Sequence, residues 1–295
     1  MKIDKPGIIP DMSNHVYHRD VRDPEDRYIL SSSTLKKLAD SSPAKAFQTF
    51  TEPEPEWNFN RLSVLQIGTL FHTLVLEPKK FGEQYEVIED GKKTKLPLES
   101  GKLPVRQRDF DTISRMQQAV MNHPEAARLV SNGYAEHSVF SKDWRGFWKK
   151  CRPDYLKPTD TGFTCIDLKS TSDASMEGFS KSIGNFKYHW SAAFYLDVLT
   201  EANPGIKFND FRFIAVEKKL PEQNPEIGVA VYRLHSADIE SARQQYQQYL
   251  DLYGKCLTAD EWPGYSEKTE YITLPSWATW IEGNTKTQKG IIYYD

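Results

Sequence analysis

The chain has 295 residues, 39% of them apolar and 13% aromatic, with 38 basic and 41 acidic side chains and a net charge of −3. That apolar share suits a packed core and excludes a disordered chain, and no run approaches the roughly 20 apolar residues that span a bilayer. The near-neutral charge excludes a global pull toward nucleic acid. The three cysteines (Cys151, Cys165, Cys256) form no CxxC pair, which argues against a zinc ribbon and for a reducing cytoplasm.

In chain order, residues 1–30 are polar and read as an irregular N-terminal segment without the apolar stretch of a signal peptide. "SSSTLKKLADSSPAKAFQTF" predicts a helix with a serine or threonine cap, interrupted by Ser-Pro before a second short helix. "EPEPEWNFN" has the composition of a linker. "RLSVLQIGTLFHTLVLEPKKF" is the most apolar helical stretch: Leu65, Leu70, His72, Thr73 and Leu76 fall in a three-to-four residue rhythm, and Glu77-Pro78 ends it. "IEDGKKTKLPLESGKLPV" has no period and reads as a long, mobile, basic loop. Helices follow over 108–121 and 124–130, then strands in "AEHSVFSK", "FWKKCRPDYL" and "GFTCIDLKST". Residues 176–199 have helical spacing, "DFRFIAVEKK" and "IGVAVYRL" read as a strand pair, and "SADIESARQQYQQYLDLYGKCL" as a serine-capped amphipathic helix. With no repeat and no linker between two cores, the pattern predicts one α/β domain with a mixed sheet over 31–264. Residues 265–295, aromatic and without a clear period, read as a C-terminal arm packing on that domain.

The chemistry concentrates in "CRPDYLKPTDTGFTCIDLKST". Strand side chains alternate, so Cys165, Asp167 and Lys169 share one face while Ile166 and Leu168 take the other. A hairpin brings Asp154 toward Asp167, and two close carboxylates repel unless a cation or shared proton lies between them. Oxygen ligands of this kind suit a hard divalent cation such as magnesium, and Lys169 can orient or deprotonate a water beside it. Acid–x–lysine triplets also occur at Glu77–Lys79, Asp90–Lys92 and Glu217–Lys219, and most such triplets are plain ion pairs. Only Asp167–Lys169 follows a Pro-Asp in a neighbouring strand. It also lies in a basic run, with five cations (Arg145, Lys149, Lys150, Arg152, Lys157) against the single acid Asp154. Glu217, with Asp210 upstream, is the main competitor.

"RPDYL…GFTCIDLKST" resembles the PD-(D/E)xK nuclease motif, with Asp154 as its first acid and Asp167-Leu168-Lys169 as its D-x-K. "IGTLFHTLVLEPKKF", "DASMEGFSKSIGNFKYHWSAAFYLDVL", "SSSTLKKLADSSPAKAF" and "ITLPSWA", in their order here, resemble segments of RecE-type exonucleases (exodeoxyribonuclease VIII) over about residues 12 to 280. The resemblance implies a restriction-endonuclease-like core, a central mixed sheet flanked by helices. It implies a magnesium-dependent exonuclease, with manganese able to substitute, that digests linear double-stranded DNA from 5′ ends and leaves a 3′ strand for an annealing partner of the RecT kind. It further implies a homo-oligomeric ring, a tetramer in the RecE type, in a cytoplasmic phage or prophage recombination system. His72, Asp154 and Asp167 would bind metal with the backbone carbonyl of Leu168, and Lys169 would position or activate the attacking water. Glu136 is open between an acid supporting those ligands and a strand-edge charge, and Arg152 would pair with the carboxylates or hold a phosphate. Related nucleases carry a glutamine and a tyrosine four apart in the following helix; here Ser191 stands in the glutamine's place, Tyr195 is retained, and His189 points elsewhere. A structure-selective endonuclease and a silent DNA-end-binding subunit are the alternatives.

Overall fold

The computed structural model describes residues 1–50, 57–92, 94, 97–208, 210–218, 226–275 and 278. By internal contacts the chain divides into two units, Met1–Pro263 and Gly264–Asp295. The first unit opens with β1 (Gly7–Ile9) and a π-helical turn (Val16–Asp20), so regular structure already occurs among the first thirty residues. Next come α1 (Ser32–Asp40), capped by Ser31, and α2 (Pro43–Gln48), capped by Ser42, where the Ser-Pro interruption was expected. Residues 51–56 of the expected linker lie outside the described residues.

Helix α3 (Val64–Leu76) begins in a full capping box: Ser63 accepts from the Gln66 N–H and Gln66 accepts from the Ser63 N–H. Its core face is Leu70, Phe71, Leu74 and Val75. Leu65, expected in the apolar rhythm, is 78% exposed because it sits in the first turn, beyond the reach of the core. Helix α4 (Pro78–Gln84) restarts at Pro78, whose missing N–H is harmless at a first helical position. Strands β2 (Tyr85–Ile88) and β3 (Leu103–Arg106) form a parallel pair, so the segment expected to be all loop is anchored at both ends; residues 93, 95 and 96 within it lie outside the described residues. Helices α5 (Gln107–Asn122) and α6 (Pro124–Leu129) stand where their spacing predicts.

Strands β4 (Tyr134–Ala135), β5 (Ser138–Lys142), β6 (Trp148–Cys151), β7 (Tyr155–Thr159) and β8 (Gly162–Thr171) follow. The expected single strand "FWKKCRPDYL" is two: β6 pairs with β5, β7 pairs with β8, and Pro153, which has no N–H to give a ladder, marks the break. The helical stretch 176–199 is likewise two helices, α7 (Met176–Asn185) and α8 (Tyr188–Ala202). They are separated at Lys187, whose φ of 49° lies in the left-handed region. The unit ends with β9 (Asp210–Glu217), β10 (Val229–Tyr232) and α9 (Ser236–Ala259).

The five-stranded sheet runs β10-β9-β8-β7-β4, with β8 and β9 parallel and the other pairs antiparallel; β1-β5-β6 and β2-β3 form two smaller sheets. The parallel β8–β9 step requires a crossover, which α7 and α8 supply. One face of the large sheet, with Cys165, Phe211, Phe213 and Ala215, packs on α7 and α8, and α9 packs on α8; the other, with Ile166, Leu168, Ile214 and Val216, packs on α3, α5 and α6. Both neighbours of Asp167 are therefore fully buried, and at roughly 1.5–3 kcal/mol for each buried aliphatic side chain they fix the strand's facing. This is a mixed α/β fold with its central sheet flanked by helices. Among the described residues no helix is long and apolar enough to cross a membrane. Residues 264–275 of the second unit carry no helix or strand, and residues 276–277 and 279–295 of the expected C-terminal arm lie outside the described residues.

Candidate active site

The β7–β8 register pairs Tyr155 with Ile166 and Leu156 with Cys165, so Asp154, one residue before β7, falls opposite Asp167. There its Oδ2 accepts the Leu168 N–H at 2.6 Å, which fixes the carboxylate against the central strand. His72, on the side of α3 away from its core residues, brings Nδ1 to 3.5 Å from the same Oδ2. Glu136 lies between β4 and β5 with a φ of 53°, and its N–H donates to the Asp154 carbonyl at 3.1 Å. One ligand atom from each of His72, Glu136 and Asp154 lies within 4.8 Å of the others. In β8 the Lys169 ammonium donates to Asp167, whose carboxyl also reaches that of Asp154. These side chains, Asp167 apart, line the floor of a cleft of about 930 Å³ with Tyr17, Lys36, Arg152, Tyr188, Ser191 and Tyr195.

The charges are frustrated. Burial raises Asp167 above the carboxylate range, Asp154 adds to the rise, and Lys169 offsets only part of it. Glu136 is raised by burial and by Asp154, against His72 and Arg152. For Asp154 burial acts upward too, but His72 and Lys169 outweigh it and hold the carboxyl well below its usual value. Burial would depress His72 and Lys169; Asp154 lifts the first, Asp167 and Asp154 lift the second, and both stay above their ordinary values. Three carboxylates crowd together, one of them tied down by a lysine. Hard oxygen donors with one imidazole suit a divalent cation, and the charge such an ion brings is what this cluster lacks.

The structure thus gathers His72, Asp154, Asp167, Leu168 and Lys169. Glu136, left open by the sequence, lies beside His72 and Asp154. Arg152 stands apart from the carboxylates in its hydrogen bonds: it donates to Ser138 Oγ (2.7 and 3.0 Å), Asn14 Oδ1 (2.5 Å) and the Met12 carbonyl (3.0 Å), and its guanidinium lies 4.1 Å from the Tyr17 ring centroid. It ties the N-terminal segment to the sheet. The basic run around it is largely internal: Lys149 pairs with Glu201, Lys150 donates to the Tyr17 carbonyl and Arg145 pairs with Asp143 and Asp251. The competing acid Glu217 accepts the Ala174 and Gly228 N–H groups, each at 3.2 Å, and so stitches loops together at the end of β9. Its upstream Asp210 pairs instead with Arg212 and Arg233. His189 turns to the Ile183 carbonyl at 3.3 Å, away from the site as expected. Sequence reasoning missed Lys36 and Tyr188. Their only signal was position, inside two segments that carried the resemblance.

The fold and the site together define a PD-(D/E)xK nuclease-type domain. Residues 31–275 match the family described as a PDDEXK-like domain of unknown function (DUF3799), and the chain belongs to that family. No curated protein sequence matches it. A solved structure from Eubacterium rectale, named "Putative exonuclease", is similar with a TM-score of 0.61 at 13% identity, covering 90% of this chain and 96% of that one. At that identity the likeness is one of fold. A phage related exonuclease from Haemophilus somnus 129PT aligns over 79% of this chain and 97% of its own at 10% identity, with a TM-score of 0.31.

Proposed function

We propose that this protein is a magnesium-dependent exodeoxyribonuclease of the RecE type. It digests linear double-stranded DNA from 5′ ends and leaves a 3′ single strand for an annealing partner of the RecT kind. The observation that carries the reading is the cluster at the cleft floor, where His72, Glu136 and Asp154 converge beside the Asp167–Lys169 pair. His72, Asp154 and Asp167 with the Leu168 carbonyl, or Glu136 in place of one of these, would hold the metal, magnesium or manganese. Such an ion, when bound, polarises the phosphate and lowers the pKa of its water.

The chain's own groups do the rest. Lys169, kept protonated by Asp167 and Asp154, donates a hydrogen bond to the attacking water or to the phosphate oxygen that gains charge. Asp154, held at one oxygen by the Leu168 N–H, lines the cleft. Tyr195 on α8 lines the same space and gives the substrate backbone a hydroxyl partner. A ring, tetrameric by the resemblance, would let a mildly acidic chain gather basic surface around DNA.

The test is end-labelled linear duplex and closed circular duplex incubated with magnesium. Native protein shortens the linear DNA and leaves the circle whole, while Asp167→Ala and Lys169→Ala lose at least about a hundredfold in rate. Equal, negligible digestion by all three sinks the enzymatic reading, and a cut circle replaces it with an endonuclease.

A further inference from the structure

Position 191 holds a serine where a glutamine was expected to reach the site, and the serine is not idle. Its Oγ accepts a hydrogen bond of 2.7 Å from Nζ of Lys36, a residue of α1, and lies 3.4 Å from Ser32 Oγ on the same helix. The Ser31 cap starts α1, and Leu35 and Leu38 bury its core side. Lys36, between them, is directed into the cleft that Glu136, Asp154 and Lys169 line. The Tyr188 ring is shared by two ammonium groups, with Lys169 Nζ 5.2 Å and Lys36 Nζ 5.5 Å from its centroid. The ring's quadrupole attracts each ammonium, while the two like charges still repel.

The two lysines differ in their partners. Lys169 is matched by Asp167, whereas the hydrogen bond of Lys36 goes to a neutral hydroxyl, and Asp40, one turn further along α1, pairs with Lys187. Burial, with Lys169 and Lys187 nearby, lowers Lys36 to about 8, against the opposing pull of Asp167 and Asp40. A half-shielded ammonium held by the Ser191 hydroxyl and facing a cleft is equipped to receive an anion.

We propose that Lys36 is a further catalytic residue of this site, contacting a non-bridging oxygen of the phosphodiester under attack and filling the place that the absent glutamine at 191 would hold. Ser191 and Ser32 are its positioning residues. They fix the ammonium at a point that the short Ser191 side chain cannot reach by itself. Lys36 stabilises charge and transfers no proton, so the hydrolysis balances as it would without it. The inference rests on the nuclease reading of the same cleft.

Digestion rates, manganese binding and thermal midpoints of the native protein, K36M, K36R, S191Q and K36M/S191Q test it. K36M is expected to digest linear duplex about a hundredfold more slowly, the usual cost of losing one donor to a developing charge. Its manganese affinity should stay native. K36R keeps most of the rate, and K36M/S191Q regains at least tenfold over K36M, because the longer amide restores a donor. Recovery in either variant is a result that a merely structural role would not produce. A K36M enzyme as fast as native overturns the proposal, as does a loss that neither K36R nor K36M/S191Q relieves. Native protein inert on DNA overturns the nuclease reading and the role of Lys36 together; an active native enzyme beside an equally active K36M overturns the role of Lys36 alone.

Discussion

Lys149 and Lys169 both leave a sheet strand, both reach a carboxylate and both are shielded from water, yet they live in opposite electrostatic circumstances. Lys149 Nζ meets Glu201 Oε1 at 2.7 Å, and the second oxygen of Glu201 accepts from Ser141 Oγ, also at 2.7 Å. Every polar atom of that pair has a partner, and the lysine side chain is only 2% exposed. Around Lys169 the count does not close: Asp154, Asp167 and Glu136 crowd a space where His72 and Lys169 pair with the carboxylates, while Arg152 and Lys36 line the same cleft with their hydrogen bonds going elsewhere. A closed pair is spent on holding the fold. An open one stores a deficit of positive charge that a metal ion or a substrate can fill.

The contrast predicts opposite responses to losing a carboxylate. Glu201→Ala strands an ammonium in the core. It should destabilise the protein by on the order of 3 kcal/mol in urea unfolding, near the low end for a broken buried pair because Glu201 is itself 32% exposed. Glu136→Gln relieves repulsion instead. In chelator its thermal midpoint should equal or exceed the native one, at about 2–4 °C for each kcal/mol recovered. Added manganese should then raise that midpoint less than it raises the native one, since a donor has been lost. A Glu136→Gln protein less stable than native in chelator would show that the cluster is closed after all, like the pair at Lys149.

Which of the two a lysine belonged to was only partly legible in the sequence. Asp154 and Asp167 could be matched because a strand pair has fixed arithmetic, and apolar Ile166 and Leu168 settle which face Asp167 takes. His72 and the D-x-K triplet followed from the resemblance. The basic run misled, because charge counting along a chain does not say which cations are covered. Lys149, Lys150 and Arg152 are all buried, their partners Glu201 and Tyr17 lying far away in sequence and Ser138 on the neighbouring strand β5. The break at Pro153 hid inside an apolar and basic stretch with no alternation to reveal two strands. Lys36 was invisible for a related reason: it enters the site only because α1 packs on α8, a contact between residues 155 apart.

The smallest predicted effect separates Lys36 from Lys169 by titration. The groups facing Lys36 are Asp40 on its own helix, Asp167 and Lys169 on β8, and Lys187 and Tyr188 at the start of α8. Their balance with burial puts it at about 8, below an ordinary lysine, so the ammonium of the free enzyme is lost as pH rises through that value. The unfolded chain keeps the proton longer, so this group adds stability as pH climbs from 8 toward the usual lysine value, while the proposed phosphate contact fades over the same range. Lys169, held above its ordinary value by Asp167 and Asp154, stays charged throughout. With magnesium saturating and DNA limiting, kcat/KM of the native enzyme should therefore fall by up to about fivefold between pH 8 and pH 9, as the protonated fraction of a group titrating at about 8 drops from one half to about one tenth. K36R, whose guanidinium keeps its charge, should hold its rate across that interval. A native profile as flat as that of K36R would mean that Lys36, like Lys149, has its charge already answered within the fold.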